Sequence, residues 1–115
     1  MAVFMETALH RAKMLREWRK YVQQIAKVIK EILPDAQIYV TGSTVREDQV
    51  GGSDVDILVV SENTPRKTLE KARIKAQIEE KLNLPPYHPF EIHLLTPQEA
   101  QPYLKRSKQY IQKII

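Results

Sequence analysis

Between residues 38 and 60 the chain reads Ile-Tyr-Val-Thr-Gly-Ser-Thr-Val-Arg-Glu-Asp-Gln-Val-Gly-Gly-Ser-Asp-Val-Asp-Ile-Leu-Val-Val, and the rest of the molecule has to be arranged around this run. A β-branched strand ends in Gly42-Ser43, a polar link leads to a Gly51-Gly52 turn, and a second strand opens on Asp54-Val55-Asp56. Small residues at a strand end let backbone N–H groups approach an anion, and carboxylates two apart on a strand point the same way. The run therefore offers an anion cradle facing a pair of carboxylates.

The flanking sequence supplies helices for this pair of strands. Over residues 5–33, Leu9, Ala12, Leu15, Trp18, Val22, Ile25, Ile29 and Ile32 recur every three or four positions with Arg and Lys between them. That spacing predicts one long amphipathic helix, stopped before Pro34, with Trp18 and Tyr21 in the core or along a packed seam. Strands are expected at 37–41 and 54–60, the second central in the sheet because Ile57, Leu58, Val59 and Val60 suit burial on both faces. Ser43 begins a turn or two of helix before an exposed loop. Thr64-Pro65 starts a helix reaching about residue 82, and a proline-rich connection follows. Phe90–Leu95 forms a third strand with Glu91, His93 and Leu95 on one face, and Thr96-Pro97-Gln98-Glu99 is a capping box. Pro102 is expected to break that last helix, leaving a basic amphipathic tail over 103–115.

The expected fold class is α+β: a small mixed β-sheet with helices packed on it, forming a single domain over residues 1–115. A chain with 43% apolar and 28% charged residues is ordinary for a soluble protein. It carries no run of roughly 20 apolar residues and no apolar signal core, so no membrane association and a cytoplasmic location are expected. The absence of cysteine excludes disulfides and thiolate metal sites. A net charge of +4 favours anionic partners without identifying them.

Asp54 and Asp56, with Cα atoms roughly 7 Å apart on one strand face, can converge on a cation. Without one, their carboxylates repel. Oxygen ligands suit hard divalent ions, and Mg²⁺ is the usual choice where phosphates complete the shell. Glu91, a carboxylate within an apolar strand, either faces solvent from an edge strand or meets the same cation if its strand lies beside the second one. Gly42 and Ser43 present N–H groups, a hydroxyl and a helix N-terminus to a phosphate. Ser53 either caps the turn or adds a second hydroxyl to the cradle, and Arg46, one helical turn beyond Ser43, is either a surface residue or a contact to the same anion. His93, on the Glu91 face, is either a partly exposed residue or an aid to an acceptor.

Gly42-Ser43, ten residues, then Asp54-Val55-Asp56, with Glu91 on a later strand, resembles the nucleotidyltransferases of the DNA polymerase β superfamily, particularly the minimal archaeal and bacterial ones. The likeness spans roughly residues 22–97, and its specific part is those motif residues. It implies the nucleotidyltransferase fold and catalysis at Asp54, Asp56 and Glu91 with two Mg²⁺ ions. It also implies that Gly42, Ser43, Arg46 and Ser53 bind the phosphates of a nucleoside triphosphate, expected to be ATP. A nucleoside monophosphate would pass to an acceptor hydroxyl and pyrophosphate would leave.

The chain departs from the pattern in having Glu47, followed by Asp48, where many members have glycine after the arginine. Minimal members often pair with a small helical HEPN-type protein in toxin–antitoxin modules, so the resemblance implies such a partner as acceptor. A second expectation, favoured by Glu47 and Asp48, is a binding module that neutralises the partner by contact alone. Nucleic-acid binding through Lys105, Arg106, Lys108 and Lys113 ranks behind both, since no aromatic-basic pattern accompanies them. Apolar residues of the first helix and the tail are candidates for an oligomeric interface.

Overall fold

A computed structural model describes residues 2–41, 54–106 and 111–114. Two helices open the chain, α1 (Ala2–Arg16) and α2 (Trp18–Ile32), followed by β1 (Gln37–Thr41) and β2 (Val55–Val60). Then come α3 (Thr68–Lys81), β3 (Phe90–Leu95), α4 (Pro97–Arg106) and β4 (Ile111–Lys113). The sheet has the order β3-β2-β1-β4. It is mixed: β1 runs antiparallel to both β2 and β4, whereas β2 and β3 are parallel. The α+β class and the central position of β2 are as the sequence suggests.

One face of the sheet holds Ile38, Val40, Val55, Ile57, Val59, Phe90, Ile92 and Leu94 against the buried stripe of α2, with Ile74 and Ile78 of α3. Strand side chains alternate, so Asp56, Leu58 and Val60 point to the opposite face. There Leu58 and Val60 are buried, and α4 lies against β2 and β3. All four apolar residues Ile57–Val60 are buried, which fits a strand covered on both sides.

Four local expectations are corrected. The predicted single helix over 5–33 is two, interrupted at Glu17, whose φ of −101° and ψ of 26° leave the helical range. Neither Gly nor Pro stands at the break, and Glu17 still donates its N–H to the Lys13 carbonyl at 3.0 Å, so the apolar period runs across it unchanged. The helix expected from Thr64-Pro65 begins at Thr68 instead. Thr64 is occupied elsewhere: its hydroxyl donates to the Leu95 carbonyl at 2.9 Å and its N–H to the Ser61 carbonyl at 3.3 Å. Pro102 does not break α4. The helix runs through it to Arg106, giving up the one N–H that proline lacks. The expected amphipathic tail is divided between the end of α4 and a short strand, β4, which pairs with β1 and places the Ile114 N–H on the Ile38 carbonyl at 2.7 Å.

The capping box forms as expected. The Thr96 N–H donates to Glu99 Oε1 at 2.9 Å and the Glu99 N–H to Thr96 Oγ1 at 3.2 Å. That backbone donor is the first cause holding the Glu99 carboxyl below its ordinary range. Of the apolar candidates for an interface on α1, Leu9 is exposed, whereas Leu15 belongs to the core. Among the described residues, no helix is long and apolar enough to cross a membrane.

Asp35, between α2 and β1, ties that link to the end of β2. Its Oδ1 accepts from the Ser61 hydroxyl at 2.6 Å and the Asn63 amide at 3.2 Å, and its Oδ2 accepts from the Glu62 N–H at 3.0 Å. These donors, the Ser61 hydroxyl foremost, hold the carboxyl below the usual carboxylate range. A group whose folded pKa is depressed contributes stability above its unfolded pKa and loses it as pH falls through the folded one. Asp35→Asn should therefore flatten the acid limb of stability between about pH 5 and pH 2, read as the urea midpoint at each pH by circular dichroism. An acid limb as steep as that of the wild type would show that Asp35 makes no net contribution.

Candidate active site

The parallel pairing of β2 and β3 sets the site. The Val55 N–H donates to the Pro89 carbonyl at 2.7 Å, and from there the register runs Val55 beside Phe90, Asp56 beside Glu91 and Leu58 beside His93. Phe90, Ile92 and Leu94 are buried in the core. Alternation then turns Glu91 and His93 outward on the face that carries Asp56. Both strands are parallel and start at one end of the sheet, so the acidic groups gather at that end.

His93 Nε2 lies 3.2 Å from Asp56 Oδ1 and 3.9 Å from Glu91 Oε1. One donor atom from each of the three residues falls within 4.8 Å of the others. At such separations two carboxylates repel by about 1 kcal/mol in bulk water and about 3–4 kcal/mol at the effective dielectric of a protein surface. In the tautomer that carries its hydrogen on Nε2, the His93 contact with Asp56 offsets part of this. Two carboxylate oxygens and an imidazole nitrogen are a donor set that a divalent cation accepts, so the residues present fit a metal ion. Tyr103 of α4 stands behind the imidazole, its ring centroid 6.3 Å away.

Asp54, one residue before β2, is outside this cluster. Its Oδ1 accepts from Arg11 Nη2 at 2.6 Å, with the Asp54 side chain 51% and the Arg11 side chain 22% exposed. Of the three carboxylates singled out in the sequence, the fold brings Asp56 and Glu91 together and turns Asp54 toward α1. Gly42, Ser43, Arg46 and Ser53, with Glu47 and Asp48, lie outside the described residues. Two participants were poorly visible in the sequence. His93 is signalled only by sharing a strand face with Glu91. Arg11 sits among the charged positions of an amphipathic helix, and no local signal separates it from its neighbours.

A hollow of about 370 Å³ between α2 and α3, lined by Val28, Glu31, Ile32, Gln77, Glu80 and Lys81, includes none of the clustered carboxylates and is bridged by a Lys81–Glu31 ion pair. A smaller recess of about 170 Å³, lined by Lys75, Glu79, His88, Phe90, Glu91 and Ile92, reaches Glu91.

The family model of the nucleotidyltransferase domain matches residues 22–114. No curated protein matches the chain. Among solved structures, a crystal structure of a candidate nucleotidyltransferase is 27% identical, covering 82% of this chain and 97% of its own, with a TM-score of 0.63. A toxin–antitoxin structure with AMP-PNP aligns over 79% of this chain and 69% of its own at 18% identity and a TM-score of 0.56. The complex of tri-AMPylated Shewanella oneidensis HEPN toxin with MNT antitoxin aligns over 83% of this chain and 69% of its own at 16% identity and a TM-score of 0.53. The last two likenesses are of fold alone. Because the family match extends from within α2 to the residue after β4 and takes in both strands that carry the acidic cluster, the chain belongs to the nucleotidyltransferase domain family.

Proposed function

We propose that this protein transfers AMP from ATP to an acceptor hydroxyl on a partner protein, with divalent cations held by Asp54, Asp56 and Glu91. The observation that carries this proposal is the register of β2 and β3, which sets Asp56 beside Glu91 on one outward face. Mg²⁺ bound there would neutralise triphosphate charge and lower the pKa of the acceptor hydroxyl. The chain's own part is placement. Asp56 and Glu91 stand on rigid neighbouring strands, and His93 fixes the Asp56 carboxylate through the 3.2 Å contact. Glu91, the exposed member of the cluster, would complete the cation site and ease deprotonation of the acceptor hydroxyl. Gly42, Ser43, Arg46 and Ser53 take the triphosphate through backbone N–H groups, hydroxyls and a guanidinium. The acceptor oxygen bonds to the α-phosphorus as the bond to the bridging oxygen breaks, and pyrophosphate carries off the electron pair. A small helical partner of the HEPN type is the acceptor that the toxin–antitoxin neighbours suggest.

The test is incubation with labelled ATP, Mg²⁺ and the candidate partner, comparing the wild type with Asp54→Ala and Asp56→Ala. Label should move to the partner only with the wild type and only with a divalent cation. A second function, neutralisation by contact without turnover, is favoured by the engagement of Asp54 with Arg11. Under it, inhibition of the partner survives both substitutions and no label is transferred.

A further inference from the structure

Arg11 belongs to α1, which precedes the segment matched by the family model, yet it reaches the carboxylate at the head of β2. We infer that Arg11 is a positioning residue for the acidic site: it holds Asp54 out of the Asp56–Glu91–His93 cluster, and a divalent cation must take Asp54 from it to gain a third carboxylate. This inference rests on the proposed cation site.

Three observations carry it. Asp54 and Asp56 are two apart on an extended segment, so their side chains leave the backbone toward the same side. Even so, the donor atoms that converge within 4.8 Å come from Asp56, Glu91 and His93, while Asp54 Oδ1 lies 2.6 Å from Arg11 Nη2. Second, α1 is anchored independently of that pair. His10 Nδ1 lies 2.7 Å from the Tyr87 hydroxyl, just ahead of β3, and Met14 and Leu15 are buried in the core. Adjacent residues of α1 thus touch the segments that lead into both acidic strands, and Arg11 can release Asp54 without undocking the helix. Third, the guanidinium lies directly on an Asp54 carboxylate oxygen, so it competes with a cation for the same group.

The pair is partly exposed, so its opposition to cation binding is modest. Arg11→Gln should bind Mn²⁺ about two- to fivefold more tightly than the wild type, measured without nucleotide from the electron paramagnetic resonance signal of free Mn²⁺. Lys13→Gln, which removes the same charge from an exposed position of α1, should change the affinity less. In an Asp54→Asn background, Arg11→Gln should have no further effect. Circular dichroism of the cation-free variants verifies that each is folded.

Equal or weaker binding by Arg11→Gln overturns the inference, as does equal tightening by Lys13→Gln or an Arg11 effect that persists without Asp54. If the wild type binds no Mn²⁺, or binding ignores Asp56→Asn, the cation site itself falls and the inference with it. That result is distinguishable from failure of the Arg11 role alone, in which the wild type binds Mn²⁺ and loses it on Asp56→Asn.

Discussion

Asp56→Asn should lower nucleotidyl transfer by on the order of 10³-fold in kcat/KM while leaving the cation-free protein at least as stable as the wild type. The two effects share one cause. Asp56 stands directly beside Glu91, and the carboxylates sit with His93 inside a 4.8 Å circle. Without a cation their repulsion disfavours the folded state, so replacing one carboxylate by a neutral amide of the same shape relieves it. With a cation, the same replacement removes one of its charged ligands. Transfer of labelled AMP measures the first effect, and urea unfolding in a chelator measures the second. An active variant would remove Asp56 from the site. A variant that loses transfer only because it unfolds would show that Asp56 serves the fold instead.

Trp18→Ala should destabilise the protein by about 3–5 kcal/mol, a large part of the roughly 5–15 kcal/mol by which a domain of this size is stable. Trp18 is the largest of the fully buried side chains, only 1% exposed, and it opens α2 just after the interruption at Glu17. Its removal leaves a cavity where α2 begins its contact with the core, too large for neighbouring aliphatic groups to fill. The substitution deletes the chain's one tryptophan, so unfolding is followed by far-ultraviolet circular dichroism rather than by tryptophan fluorescence. A loss below about 1 kcal/mol would show that the first turn of α2 can repack without it.

What could be anticipated from the residues divides along physical lines. Strands were legible where alternation or continuous burial leaves one solution: Gln37–Thr41, Val55–Val60 and Phe90–Leu95 lie where their β-branched and apolar patterns put them. The Thr96–Glu99 capping box was legible because both reciprocal hydrogen bonds are local in sequence. The interruption at Glu17 was not, since one residue leaving the helical φ/ψ range costs no apolar period. Nor was the true start of α3, where Thr64 forgoes capping to bond the Leu95 carbonyl, a partner 31 residues away. The basic residues between Tyr103 and Lys113 concealed β4, which exists because the free edge of β1 is there to pair with it. At the site, the nearness of Asp56 to Glu91 depended on strand order, which the sequence left conditional. The Arg11 contact with Asp54 spans 43 residues and follows from tertiary placement alone.

Because Glu91 and His93 alternate with Phe90, Ile92 and Leu94, the chemical face of β3 and its greasy face cannot be moved separately. A slide of β3 by a single residue would drive Glu91 and His93 into the apolar core and take Phe90, Ile92 and Leu94 out of it. Residues added to or removed from the connection before Pro89 would therefore be absorbed as slack in that connection. The acidic groups would keep their spacing for as long as the protein stays folded.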